Sequence, residues 1–310
     1  MKKIGFLFAG QGAQYPGMGR DLYENYEECK KVFEVANKAL GFDIKEICFN
    51  GSKDELGKTE ITQPAILAVN MAALKILKEN HIEAYASCGL SLGEYSALIY
   101  GGVLNFEEAL PLVNKRGKFM QEAVPLGVGG MVAILGLKDE IVEEVLKKAS
   151  YEGKVEAANY NCPGQIVVAG ENKALDKVIE LSKELRGKAK KLPVSAPFHS
   201  SLLKPAADKL MDELNKVTIK RTDAIVMSNV LGDIYPKGAD VRELLKTQVM
   251  ASVLFKQNIE KMIAMGIDTF VEIGPGKTLG GFVKKIKRDA IVLNVEDKDS
   301  LENTIKVIKG

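Results

Sequence analysis

A chain of 310 residues, 46% of them hydrophobic, can bury a large core, and its length suits one large domain carrying a smaller insertion. Its 43 basic and 41 acidic side chains nearly cancel, to a formal +2, which argues against nucleic acid or an anionic membrane surface as the main partner. Cys29, Cys48, Cys88 and Cys162 have no paired or metal-like spacing, no apolar run is long enough to span a bilayer, and Met1-Lys2-Lys3-Ile4-Gly5 does not open a signal peptide, so a reduced, cytoplasmic protein is expected.

Residues 4–9 are a continuous apolar run with one glycine, the pattern of a buried parallel strand, and they empty into Gly10-Gln11-Gly12. A dinucleotide-binding turn does not fit: Tyr15 stands where the third glycine is needed, and no acidic residue closes a second strand at the right distance. Gly10 and Gly12 instead let backbone approach a ligand, with the N–H of Gln11 free to donate. Residues 21–40 have helical spacing. Thr62-Gln63-Pro64-Ala65 predicts a helix running to about residue 78, with Thr62 as N-cap and Pro64 in the first turn. Gln63 is then an ordinary first-turn residue or a polar group of a pocket. His81, just past the helix end where a cation suits the dipole, is structural.

The centre of the sequence is Gly89-Leu90-Ser91-Leu92-Gly93, between a short strand expected at 82–86 and a helix expected at 92–99. A serine on so sharp a strand-to-helix turn exposes its hydroxyl, and the N–H of Leu92, unpaired at the helix start, can point at a developing oxyanion. The plainer alternative is a glycine-lined turn whose serine caps the helix. A helix over 106–123 carries Arg116, which either faces water or, turned inward, forms a two-pronged carboxylate receptor.

Residues 125–130 are a breaker run, and beyond it the predicted order is strand 131–135, helix 138–148, strands 155–159 and 165–169, helix 172–185 and strand 189–194. That β-α-β-β-α-β order is ferredoxin-like. Asn159, Asn161 and Pro163, at its middle hairpin, are turn residues or a polar lip facing the serine. Pro197-Phe198-His199-Ser200-Ser201 then opens a helix to about residue 216, and His199 is the candidate base near neutral pH. Strands at 224–227, 269–273 and 291–294 alternate with helices at 240–249, 256–265, 277–286 and 300–308 and complete an α/β domain. Gly274-Pro275-Gly276-Lys277-Thr278 is not a phosphate loop, because the first glycine of that motif would fall on Val271. The basic runs at 188–191 and 284–288 are solvated faces or docking spots for an acidic partner. One nucleophile, one base and one anion receptor, with no metal cluster and no nucleotide motif, point to acyl transfer through an acyl-serine. No acid announces itself as the orienter of His199, so a backbone carbonyl is expected to fix its tautomer.

Phe8-Ala9-Gly10-Gln11-Gly12, Gly17-Met18-Gly19, Thr62-Gln63-Pro64-Ala65, Gly89-Leu90-Ser91-Leu92-Gly93-Glu94, Arg116-Gly117, Phe198-His199 and Glu272-Ile273-Gly274-Pro275-Gly276 together resemble the malonyl-CoA:acyl carrier protein transacylases of type II fatty acid synthesis, over the whole chain and in the same order. Leu90 departs from the histidine that this family commonly has before the serine, a position that is not the base. The resemblance implies an α/β-hydrolase-like large subdomain with a parallel sheet (1–126 and 196–310) and an inserted ferredoxin-like small subdomain (127–195). It implies Ser91 as nucleophile, His199 as base and then acid, Gln11 and Leu92 as oxyanion donors, Arg116 as receptor of the malonyl carboxylate, and the Gln248 carbonyl beside His199. Phe198 resembles the form of the motif that leaves little room for a 2-methyl branch, and Gln63 and Asn159 are further substrate-binding candidates. The implied substrates are malonyl-CoA, giving coenzyme A, and an acidic, phosphopantetheinylated acyl carrier protein; no cofactor, nucleic acid or membrane is expected. The alternatives are a polyketide-type acyltransferase for another extender unit, a serine thioesterase or esterase, and a carrier-docking scaffold.

Overall fold

The apolar run at the start forms β1 (Ile4–Phe8), buried throughout and paired in parallel on both sides. A strand covered on both faces needs no polar alternation. In the computed structural model, residues 3–194 and 196–310 are described; Met1 and Lys2, where a signal peptide is not expected, and Ser195, the last residue of the expected module, lie outside them. The helix expected at 21–40 is two, α1 (Arg20–Asn25) and α2 (Glu27–Leu40), because Tyr26 is extended, at φ −134°, and serves as the N-cap of the second. Two short helices, α3 (Ile44–Asn50) and α4 (Lys53–Gly57), start on Asp43 and Ser52, whose side chains accept the N–H groups of Glu46 and Glu55.

The next helix, α5 (Thr59–Glu79), begins three residues before the expected cap. Thr62 is therefore inside it, with its hydroxyl donating to the carbonyls of Leu56 and Lys58, and Pro64 lies beyond the first turn. Proline cannot bond back to the carbonyl four residues earlier, that of Glu60. The Asn114 side-chain amide fills the gap, donating to Glu60 O at 2.8 Å. Burial of α5 from Thr62 to Leu74 outweighs the local breaker signal.

β2 (Ala86–Gly89) lies four residues later than expected and runs directly into the serine. Its small residues are weak strand formers, and a central place beside β1 decides their conformation. α6 (Leu92–Tyr100) and α7 (Phe106–Glu122) follow. Then come β3 (Gly129–Leu135), α8 (Asp139–Ala149), β4 (Val155–Cys162), β5 (Gln165–Glu171), α9 (Asn172–Glu184) and β6 (Lys188–Lys191). These four strands form an antiparallel sheet in the order β4-β5-β3-β6, the ferredoxin-like order. β4 extends to Cys162, so Asn159 and Asn161 are strand residues, and the hairpin turn is Pro163-Gly164, with Gly164 at φ 70°.

A 3₁₀ turn (Ser201–Leu203) precedes α10 (Lys204–Leu214), so His199 sits in a loop rather than at the start of a long helix. The chain closes with β7 (Ile225–Ser228), β8 (Asp233–Ile234), α11 (Val241–Met250), α12 (Phe255–Ala264), β9 (Thr269–Ile273), α13 (Thr278–Ile286), β10 (Ile291–Val295) and α14 (Lys298–Lys309). Among the described residues the large sheet has six strands in the order β10-β9-β1-β2-β7-β8, parallel except for β8 at its edge. The carboxyl ends of β1, β2 and β7 lead to Gln11, Ser91 and Asn229, the end of an open parallel sheet where ligands bind. β4 is joined to the segment after α11: Val253 N–H donates to Ala158 O at 2.8 Å, and Tyr160 N–H to Val253 O at 2.9 Å. Among the described residues no helix is long and apolar enough to cross a membrane.

Replacing Asn114 with alanine strands the Glu60 carbonyl and should cost ~1–2 kcal/mol, read as a lower denaturant midpoint with an unchanged slope. An unchanged midpoint would contradict this account of how Pro64 is accommodated.

Candidate active site

Ser91 occupies φ 54°, ψ −102°, a conformation that non-glycine residues rarely adopt and that costs ~1–3 kcal/mol. Close backbone packing imposes it. A Cβ on Gly93 would overlap the Phe8 carbonyl oxygen, and one on Gly10 would overlap that of Leu90, so the ends of β1 and β2 touch main chain to main chain. Asn229, buried after β7, clamps the turn: its Oδ1 accepts Ser91 N–H at 2.7 Å while its Nδ2 donates to Gly89 O at 2.8 Å.

His199, itself at φ 60°, stands across the turn with Nε2 2.7 Å from Ser91 Oγ and Nδ1 2.8 Å from the Gln248 carbonyl oxygen. A carbonyl only accepts, so Nδ1 carries the proton and Nε2 is left as the acceptor for the serine hydroxyl. Burial, with the nearby Arg116 charge adding to it, pushes the His199 pKa down to about 4, against the pull of the Gln248 and Ala251 carbonyls. The ring is therefore neutral, and able to act as a base, throughout the neutral range. The imidazole is further fixed from β4. Glu156 accepts Ser201 N–H at 2.7 Å and the Ser201 hydroxyl at 2.5 Å, two residues along from the ring.

Arg116 on α7 points inward and is 1% exposed. Its guanidinium donates from Nη1 to Gln63 Oε1 at 2.7 Å, and from Nη2 to Ser91 Oγ at 3.1 Å and Gln248 Oε1 at 2.8 Å. It also lies over the Tyr95 ring, 5.3 Å from the centroid. Gln63 is thus a buried pocket group, not a plain first-turn residue, and it belongs to the same cluster. All three acceptors are neutral. Glu94 on α6 supplies a carboxylate one layer behind, accepting from Tyr235 OH and Gln248 Nε2, each at 2.5 Å, and from Asn229 N–H at 3.2 Å. Burial raises Glu94 to about 7, while its three donors and the Arg116 charge pull the other way. A guanidinium held by neutral groups, with a weak counter-charge behind them, can still pair with an anion placed beside the serine.

The N–H groups of Gln11 and Leu92 have no acceptor among the described residues. Leu92 starts α6, and Gln11 follows the glycine packed on Leu90; the Gln11 side chain is anchored to Thr59, at 3.4 Å, and so to α5. Phe198 is buried beside His199. Asn159 is buried in β4, where its backbone bridges Val253, and no side-chain hydrogen bond joins it to Ser91 or Arg116. A cleft of about 550 Å³, lined by Glu156, Ala157, Tyr160, Ala251 and Ser252 among others, reaches His199. His81 is exposed, and the basic runs at 188–191 and 284–288 lie outside this cluster. Asn229 and Tyr235 have no place in the sequence reading, and Glu94 enters it only within the Gly89–Glu94 motif, with no role given to it. The one signal available was an acid at Glu94 in the otherwise apolar run of α6, since a buried carboxylate needs donors. Among the described residues no group of three or more His, Cys, Asp or Glu could hold a metal ion.

The arrangement resembles known proteins over its full extent. Residues 5–302 match the family described as the acyl transferase domain. The malonyl CoA-acyl carrier protein transacylase of Bacillus subtilis strain 168 is 45% identical over 311 residues, spanning 100% of this chain and 98% of its own. The crystal structure of the malonyl CoA-acyl carrier protein transacylase from Clostridium perfringens superposes with a TM-score of 0.97 at 57% identity, covering 99% of this chain and 97% of that one. A malonyl-transacylase solved in complex with its holo type II PKS acyl-carrier protein superposes at 0.95 with 35% identity, covering 99% of this chain and 100% of that one.

If neutral His199 activates Ser91, modification of Ser91 by a sulfonyl fluoride should keep a constant rate from pH 8 down to about pH 5. It should halve near the depressed value of about 4. A half-point at the ordinary histidine value of about 6.5 would contradict this reading.

Proposed function

The chain belongs to the acyl transferase domain family and, within it, to the malonyl CoA-acyl carrier protein transacylases; from that premise we propose that it carries malonyl from malonyl-CoA to an acyl carrier protein through a malonyl-Ser91 ester. The observation that carries the reading is Arg116: a buried cation, bonded to neutral acceptors, one of which is the hydroxyl of the reacting serine. A thioester bearing a terminal carboxylate satisfies both groups at once. Arg116 takes the carboxylate through its fork, and the thioester carbonyl then lies over Ser91.

Ser91 Oγ attacks that carbonyl as His199 Nε2 takes the hydroxyl proton. The oxyanion is received by the N–H groups of Gln11 and Leu92. Collapse breaks the carbon–sulfur bond, and the imidazolium returns its proton to the departing coenzyme A thiol. The second half runs in reverse, with the phosphopantetheine thiol of the carrier as nucleophile, His199 as base, and Ser91 as leaving group. Both thioesters have similar energies, so the direction follows concentration, and water is the competitor to be kept out. The Gln248 carbonyl fixes the His199 tautomer, a neutral acceptor doing what a carboxylate does in a serine triad.

Phe198 narrows the site beside His199 and disfavours a 2-methyl branch, while Gln63 and Gln248 hold the guanidinium and Asn159 lines the approach. The working units are residues 1–126 with 196–310, and the inserted 127–195, with the cleft between them admitting the pantetheine arm. The carrier is acidic and phosphopantetheinylated, and neither nucleic acid nor a membrane is part of the reaction. A reducing, cytoplasmic setting is supported by the four free, buried cysteines.

Replacing Arg116 with alanine should lower the preference for malonyl-CoA over acetyl-CoA by ~10³-fold in kcat/KM while sparing some general acyl turnover. An unchanged preference would remove Arg116 from the carboxylate site and leave the proposal without its support.

A further inference from the structure

Two functions of the site pass through one residue. The Gln248 backbone carbonyl receives His199 Nδ1, and its side-chain Oε1 receives Arg116 Nη2. Gln248 is fully buried, and an amide in such a place can face either way until its neighbours decide. We propose that Glu94 is a positioning residue for the carboxylate receptor, acting through the side-chain amide of Gln248.

Both oxygens of Glu94 face donors. Oε1 accepts from Tyr235 OH and from the Asn229 N–H, and Oε2 accepts from Gln248 Nε2. The same Gln248 amino group also donates to Ser91 O at 3.0 Å. With its NH₂ held between a carboxylate and a carbonyl, Gln248 must present its oxygen to Arg116. Ionised, as it is above neutral pH, where the comparison below is made, Glu94 has acceptors only, and this is what sets the polarity. An uncharged glutamine at the same position has one acceptor and one donor end. The Asn229 backbone N–H cannot rotate, so the glutamine oxygen must stay there, and its NH₂ falls opposite Gln248 Nε2, donor against donor. The conflict is relieved by turning the Gln248 amide, which aims NH₂ at the Arg116 guanidinium and its oxygen at the Ser91 carbonyl. Arg116 then loses one acceptor and is pushed from the position where it meets a carboxylate.

The inference rests on the malonyl reading, and its test separates the two. Acylation of Ser91 by malonyl-CoA and by acetyl-CoA is measured as kcat/KM for wild type, Glu94→Gln, Glu94→Asp, Gln248→Met, and Glu94→Gln with Gln248→Met. The malonyl-to-acetyl ratio should fall by ~10-fold or more in Glu94→Gln, because a buried charge has lost a partner. Glu94→Asp, still all acceptor but one methylene shorter, should lie between that variant and wild type. In the Gln248→Met background the Glu94 change should alter the ratio no further, since the group it acts through is gone. Equal losses on both acyl donors, or a fall in ratio that persists without the Gln248 amide, would overturn the proposal. Should Glu94→Gln not fold, Glu94→Asp alone and in the Gln248→Met background carries the same comparison. A wild-type protein that takes no malonyl would sink the functional reading; a wild type that does, with an unaltered ratio in the variants, would sink only this inference.

Discussion

A guanidinium buried without a carboxylate in direct contact is the constraint on which this molecule turns. Desolvating Arg116 is costly, and burial lowers its pKa. The fold meets that cost with oxygens from separate parts of the chain: Gln63 on α5, Ser91 at the end of β2 and Gln248 on α11. None of the three cancels the charge. The nearest carboxylate, on Glu94, is separated from it by the Gln248 amide. The site thus keeps an unmet demand for an anion beside Ser91. On the proposal made above, selectivity for an acidic acyl group and the placing of that group are one property.

Around this charge the large sheet sets the geometry. β1, β2 and β7 end together, and the turns that follow them carry Gln11, Ser91 and Asn229. The strained serine is held by main-chain contact at Gly93 and Gly10 and by the two-sided grip of Asn229. The small sheet holds the loop that carries His199. Glu156 on β4 grips Ser201, and Val253, three residues past the end of α11, pairs with β4. His199 and its acceptor Gln248 are therefore both tied to β4.

Much of this was legible in the sequence, and the failures share a cause. The glycine-serine-glycine turn, the ferredoxin-like order and His199 were visible because each depends on local pattern. Arg116 was ambiguous, since helical spacing does not say which way a side chain turns when its partners lie 53 and 132 positions away. β2 was misplaced because Ala-Ser-Cys-Gly becomes a strand only by lying beside β1. Thr62 and Pro64 gave a local start signal, and the packing of α5 with an amide from α7 overrode it. Asn229 and the role of Glu94 were illegible for the plainest reason. Asn229 meets Ser91 across 138 positions, Gln248 meets Glu94 across 154, and no motif spans such a gap.

The central claim is that Ser91 carries malonyl between two thiols. Intact mass tests it most directly, after mixing the protein with malonyl-CoA and again after adding phosphopantetheinylated acyl carrier protein. The account predicts a malonyl increment on wild type, none on Ser91→Ala, and its passage to the carrier. An increment that survives in Ser91→Ala, or one lost to water as quickly without the carrier as with it, would contradict the account.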